Sequence, residues 1–128
     1  MEFYDKYLDD IESVIGNKST YASTLEKAGK QLFGPDFLGV FAKDEKYPQN
    51  GEYAIVNTHR RDEPGEHWMA VGKGMLYDSF GRRGMLGGGL QDTELDAEQN
   101  IVEENCGQRC LAWLCVLDNH GIDAALEI

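Results

Sequence analysis

The segment from Gly107 to Asn119 leaves this chain the least freedom. Cys110, Leu111, Leu114 and Cys115 recur at helical spacing, and Val116 and Leu117 beside them make the helix apolar over most of its girth. A helix of that kind has no face to offer water, so the other elements must wrap it. It is expected to be central and buried, closed by a C-terminal cap at His120-Gly121. At 128 residues the chain has room for one domain around such a helix, not for a two-domain enzyme.

The wrapping elements can be read in outline. Phe3, Tyr4, Tyr7, Leu8, Ile11, Val14 and Ile15 form one apolar stripe on a helix that should stop at Gly16-Asn17. A second helix is expected from about Ser19 to Phe33, with Ser23 and Glu26 at capping-box spacing and Gly34-Pro35 as its stop. Residues 34–52 read as a loop interrupted by the apolar FLGVF. Tyr53 to Val56 is a short apolar strand, and residues 67–78 read as a hairpin turning at Lys73-Gly74. Residues 81–90, five of them glycine, are expected to be a mobile loop, and the stretch from there to Glu104 is strongly acidic. The fold class is α+β.

Charge narrows the function. Twelve Lys and Arg against 23 Asp and Glu give a net charge of −11, a field that repels phosphate backbones and anionic lipid. No run approaches the roughly 20 apolar residues that span a bilayer, and the N-terminus lacks the pattern of a signal peptide. A soluble, intracellular protein is expected. Three cysteines confined to residues 106–115 do not make a disulfide framework. Cys106, Cys110, Cys115 and His120 do cluster, but on one helix position 115 is rotated away from the face shared by 106 and 110. No paired C-x-x-C spacing appears, so no metal is expected.

Four residues could do chemistry together. Cys106 stands where the buried helix begins, so unpaired backbone N–H groups and the helix dipole would favour a thiolate. Taken alone it reads as a small core residue, as Cys110 and Cys115 do. His67 opens a predicted strand and could face that helix terminus as a base, whereas His59 reads as solvated and His120 as capping. Asp78, across the hairpin, could accept the second ring N–H of His67, or simply start the turn into Ser79-Phe80-Gly81. Gln99 could donate to an oxyanion alongside the Cys106 N–H.

The segments FLGVFAKDEKYP, YAIVNTHRRDEPGEHWMAVG, LYDSFG and NCGQRCLAWLCVL together resemble the adenovirus-type maturation cysteine proteases, or adenains, and their relatives in virophages and large DNA transposons. The resemblance covers about residues 34–120, leaving residues 1–33 as an N-terminal helical part of a single minimal protease domain, and the AIVNT…HWMA block is its specific part. It implies a papain-like arrangement in which a small antiparallel sheet carries base and acid against the nucleophile's helix. The family's base, acid, amide and nucleophile fall on His67, Asp78, Gln99 and Cys106, with Trp68 and Gly107 as substrate-binding residues. Asp78 departs from the Glu of the adenovirus enzymes, although relatives acting on ubiquitin-like proteins use Asp.

By the same resemblance the activity is that of a cysteine endopeptidase processing capsid or other virion precursors after Gly-Gly or Gly-X sites. It would work in the virus factory or nucleus of a host cell and be packaged in the virion. No cofactor is required, a peptide activator remains open, and the acidic charge argues against DNA as a partner. Met85-Leu86-Gly87-Gly88 has the form of such a site, which makes Gly88-Gly89 a candidate point of self-cleavage. The alternatives are a protease of the same fold acting on ubiquitin-like or SUMO-like C-termini, and a non-catalytic module that captures glycine-rich tails.

Overall fold

The computed structural model describes residues 2–47, 52–58, 67–86, 89–93, 97–100 and 103–128. Two helices come first, α1 (Glu2–Ile15) and α2 (Ala22–Phe33), and a single 3-10 turn at Gly34–Asp36 leads into β1 (Phe37–Phe41). Strands β2 (Tyr53–Asn57), β3 (Trp68–Gly72), β4 (Met75–Tyr77) and β5 (Gln91–Asp92) follow, then α3 (Cys106–His120) and the short α4 (Ile122–Leu126). The molecule is a mixed α+β fold, as its sequence pattern predicts.

α3 is the centre. Leu111, Ala112, Trp113, Leu114 and Leu117 are fully buried, and α1, α2, α4, β2 and β3 all pack on this helix. Trp113 stacks flat on Tyr77 of β4 and donates its indole N–H to the Ala125 carbonyl of α4. Gly121 ends the helix with φ 91° and returns its N–H to Leu117, the cap expected at that position.

The sheet runs in the order β1-β2-β3-β4-β5. Its middle pairings, β2 with β3 and β3 with β4, are antiparallel, but β1 joins β2 and β5 joins β4 in parallel. The expected all-antiparallel sheet is therefore corrected to a mixed one. Parallel neighbours need a long return connection, and segments 42–52 and 78–90 are long enough to supply it. The β3–β4 turn is tight because Lys73 and Gly74 both adopt positive φ, 50° and 79°, the backbone that matches strand twist.

Side-chain alternation divides the sheet's residues between two cores. Ile55, Ala70, Met75 and Tyr77 face α3 and the N-terminal helices, while Val56, Met69, Val71 and Leu76 form a second cluster on the other face. Tyr47, Met85, Leu86 and Leu90 cover that second cluster. The glycine-rich segment expected as a mobile loop thus carries, in its described part, a roof of three apolar side chains.

α2 departs from expectation at its start. It begins at Ala22 with Tyr21 as N-cap and no side-chain cap bond, so Ser23 lies inside the first turn and forms no capping box. At Gly29 α2 lies directly on the Phe37 ring; a Cβ there would overlap it. Among the described residues no helix is long and apolar enough to cross a membrane.

Candidate functional site

The end of the β3–β4 hairpin opposite its turn meets the start of α3. The register Ala70↔Tyr77 leaves His67 and Asp78 just beyond the paired ends of the two strands, on the same end of the hairpin. There His67 Nε2 donates to Asp78 Oδ1 at 2.7 Å. With Nε2 so occupied, Nδ1 is the ring nitrogen left for Cys106, which lines the same cleft and interacts electrostatically with the imidazole. Phe80 stacks on the other side of the ring, centroids 4.5 Å apart, so imidazole rotation is restricted.

Asp78 fills both roles that the sequence left open. It starts a turn, accepting the Gly81 N–H on its carbonyl and the Phe80 N–H on Oδ1, and it also holds His67. Its second oxygen, Oδ2, accepts from Arg82 Nε at 2.7 Å. Burial alone would push this carboxyl up, but the bonds from His67, Arg82 and the Phe80 N–H outweigh it and hold Asp78 below its ordinary range. The same balance works in reverse on His67. Burial would push the imidazole down, yet its bonds to Asp78 and Cys106 leave it raised above 6.5.

Cys106 is the first residue of α3, and its N-cap, Asn105, makes no side-chain cap bond. Asn105 is drawn away by Glu12, to which it donates at 2.9 Å, and by Arg109 Nε, from which it accepts. The helix N-terminus is therefore left uncapped by side chains beside the sulfur, and its N–H groups favour negative charge there. The Trp68 N–H adds a donor to Cys106 Sγ at 3.4 Å. Further along the helix, desolvation pushes the thiols of Cys110 and Cys115 up, Cys115 to about 12.

Gln99 is buried and lines the same cleft, of about 460 Å³, as Cys106, His67, Trp68 and Phe80. Its Oε1 accepts from Ser79 Oγ at 2.5 Å and its Nε2 donates to the Glu103 carbonyl at 2.7 Å, which fixes the amide plane and leaves one N–H unspent. Residues Ser19 to Ala22, leading from α1 into the first residue of α2, form another wall. What the arrangement offers chemically is a thiol at an uncapped helix start, an imidazole bonded to a buried carboxylate, and the amide of Gln99 lining the same cleft.

Of the sequence candidates, the structure brings His67, Asp78, Gln99, Cys106 and Trp68 together. Trp68 both lines the cleft and packs against the main core. Gly107 is a packing position, where a Cβ would lie 2.8 Å from Leu25 Cδ2 and Thr20 Oγ1, and it is not among the residues that line the cleft. Gly88 of the Gly88-Gly89 pair and His59 lie outside the described residues; Gly89 has φ 80°. His120 stacks on Phe3 and bonds Tyr7, far along α3 from the cleft. Sequence reasoning missed Phe80, Arg82 and the Trp68 N–H. Arg82 alone left a trace, four residues after Asp78. Among the described residues no group of three or more His, Cys, Asp or Glu could hold a metal ion.

No protein family, curated protein or solved structure matches this chain.

Proposed function

We propose that this protein is a cysteine endopeptidase of the adenain type, with a papain-like placement of its groups and Cys106, His67 and Asp78 as its triad. The observation that carries the reading is the meeting in one cleft of Cys106, at an uncapped helix start, with an imidazole whose other nitrogen is bonded to a buried carboxylate. With the thiol proton already held by His67 as an imidazolium, the Cys106 thiolate bonds through Sγ to the scissile carbonyl carbon and the carbonyl π pair moves onto oxygen. The oxyanion then sits between the Cys106 N–H and the remaining Gln99 N–H. Collapse breaks the C–N bond, and the imidazolium gives its proton to the leaving amine. Water, deprotonated by His67, next attacks the thioester and frees the sulfur.

Glycine at the cleaved bond fits a groove walled by Trp68, Phe80 and the Ser19–Ala22 segment, because residues without Cβ reach the sulfur most easily. Virion precursor proteins with Gly-Gly or Gly-X sites are the proposed substrates, which would place the enzyme in the infected cell and the particle. The test is hydrolysis of a fluorogenic peptide of the form Leu-X-Gly-Gly-X by the wild-type chain and by Cys106→Ala. Cleavage after glycine that Cys106→Ala reduces by about 10³-fold or more supports the proposal. Tight binding of the intact peptide without turnover would assign the cleft to a capture module instead.

A further inference from the structure

The triad residues do not stand alone. Arg82 donates Nε to Asp78 Oδ2 at 2.7 Å, and its guanidinium carbon lies 5.3 Å from the centroid of the Phe80 ring, whose face stacks on His67 at 4.5 Å. One side chain therefore touches two of the groups that touch the imidazole. Its own side chain is 42% exposed while Asp78 is 1% exposed, so a cation in solvent reaches in to a buried anion. Asp78 Oδ1 already serves His67 and the Phe80 N–H. Without Arg82, Oδ2 would lose the donor that fixes the rotation of the carboxylate, a torsion that is soft in itself.

We infer that Arg82 is a positioning residue for the proposed reaction, holding Asp78 and Phe80 so that His67 keeps one orientation toward Cys106. The inference rests on the reading of the cleft as a protease site. Arg82 also competes with His67 for the charge of Asp78. A guanidinium on one carboxylate oxygen weakens the pull of the other on the imidazolium. Among the described residues, the other titratable groups near the pair are Cys106 at the head of α3 and Cys110 one turn on, a thiol kept neutral by complete burial, with Glu103 and Glu104 on the cleft wall.

Replacing Arg82 consequently has two signatures of opposite sense. Orientation is lost, which lowers kcat. Cation competition is also lost, which raises the pH at which His67 titrates, since the Phe80 N–H and burial still keep the carboxylate facing the ring. An arginine that only braced the turn would leave the kcat of the folded variant unchanged.

The experiment compares wild type, Arg82→Ala and Arg82→Lys by steady-state hydrolysis of the glycine-glycine peptide across pH and by NMR titration of the His67 ring. Arg82→Ala is expected to lower kcat about 3- to 5-fold, the range of a half-exposed ion pair, with KM within about twofold. Its His67 midpoint should move up, and Arg82→Lys should return it toward the wild-type value. A kcat and midpoint unchanged in Arg82→Ala would overturn the inference. So would a loss of kcat that only tracks the folded fraction while the midpoint stays put. If even the wild type fails to hydrolyse the peptide, the protease reading fails, and the midpoint shift still decides whether Arg82 is coupled to His67.

Discussion

Cys106 and Cys110 sit one turn apart on α3, yet the helix gives them opposite surroundings. Cys106 opens on the cleft, accepts the Trp68 N–H and faces His67. Cys110 is wholly enclosed, and burial pushes its thiol well above the ordinary range. Nothing in either residue distinguishes them. The difference is made by position, because an α-helix leaves N–H groups unpaired only in its first turn and satisfies them everywhere after it. On the proposed function, the helix end is where a reactive thiol is expected and the interior where an inert one is.

The sharpest way to break that contrast is to alkylate the thiols. Iodoacetamide at about pH 6 should modify Cys106 and leave Cys110 and Cys115 untouched until the protein unfolds, and His67→Ala should slow the modification about 10- to 100-fold. Mass mapping of the labelled peptide reads the result directly. Labelling of Cys110 at a comparable rate, or equal slow rates at Cys106 in both proteins, would show that the two turns of the helix do not differ.

The second test acts through the acid. His67 is raised above 6.5, so its bonds stabilise the fold fully below that pH and lose this contribution as pH rises through the folded-state value. Asp78 is lowered below 3.8, so its contribution is present above that pH and lost as pH falls through its folded value. Asp78→Asn should therefore reduce the melting temperature more at pH 5.5 than at pH 9. It should also move the alkaline limb of peptide hydrolysis to lower pH, because the imidazolium loses its anionic partner, and cut kcat/KM about 10- to 100-fold. A limb that stays in place would detach Asp78 from the proton on His67.

These residues could be found from sequence because they occupy the ends of locally patterned elements. The hairpin turn at Lys73-Gly74 sets a register that leaves His67 and Asp78 at one end, and the apolar girth of α3 announces both a buried helix and a first turn at Cys106. What could not be read depends on contacts between distant segments. The parallel pairings of β1 and β5 are closed by long connections that carry no signal of strand direction. α4 is a five-residue helix positioned by Trp113. Arg82 lies in a run whose glycines mask it, and its role exists only because the turn after Asp78 folds it back onto the carboxylate.

Gly107 offers the finest test, since it separates packing from the cleft. A Cβ at Gly107 would come 2.8 Å from Thr20 Oγ1 and Leu25 Cδ2, while one at Gly29 would overlap the Phe37 ring. Both alanine variants overpack a close approach made by α2 or the segment before it, and each should cost about 1–3 kcal/mol in chemical unfolding. Their effects on the cleft differ. Thr20 lines it, so Gly107→Ala presses on a wall beside Cys106, whereas neither Gly29 nor Phe37 lines it. Gly107→Ala should raise KM for the peptide about 2- to 5-fold at unchanged folded fraction, by loss of a contact common to ground and transition states, and Gly29→Ala should leave it alone. Equal KM values in the two variants would mean that the Ser19–Ala22 segment takes no part in holding substrate, and that the cleft is bounded by the hairpin and α3 alone.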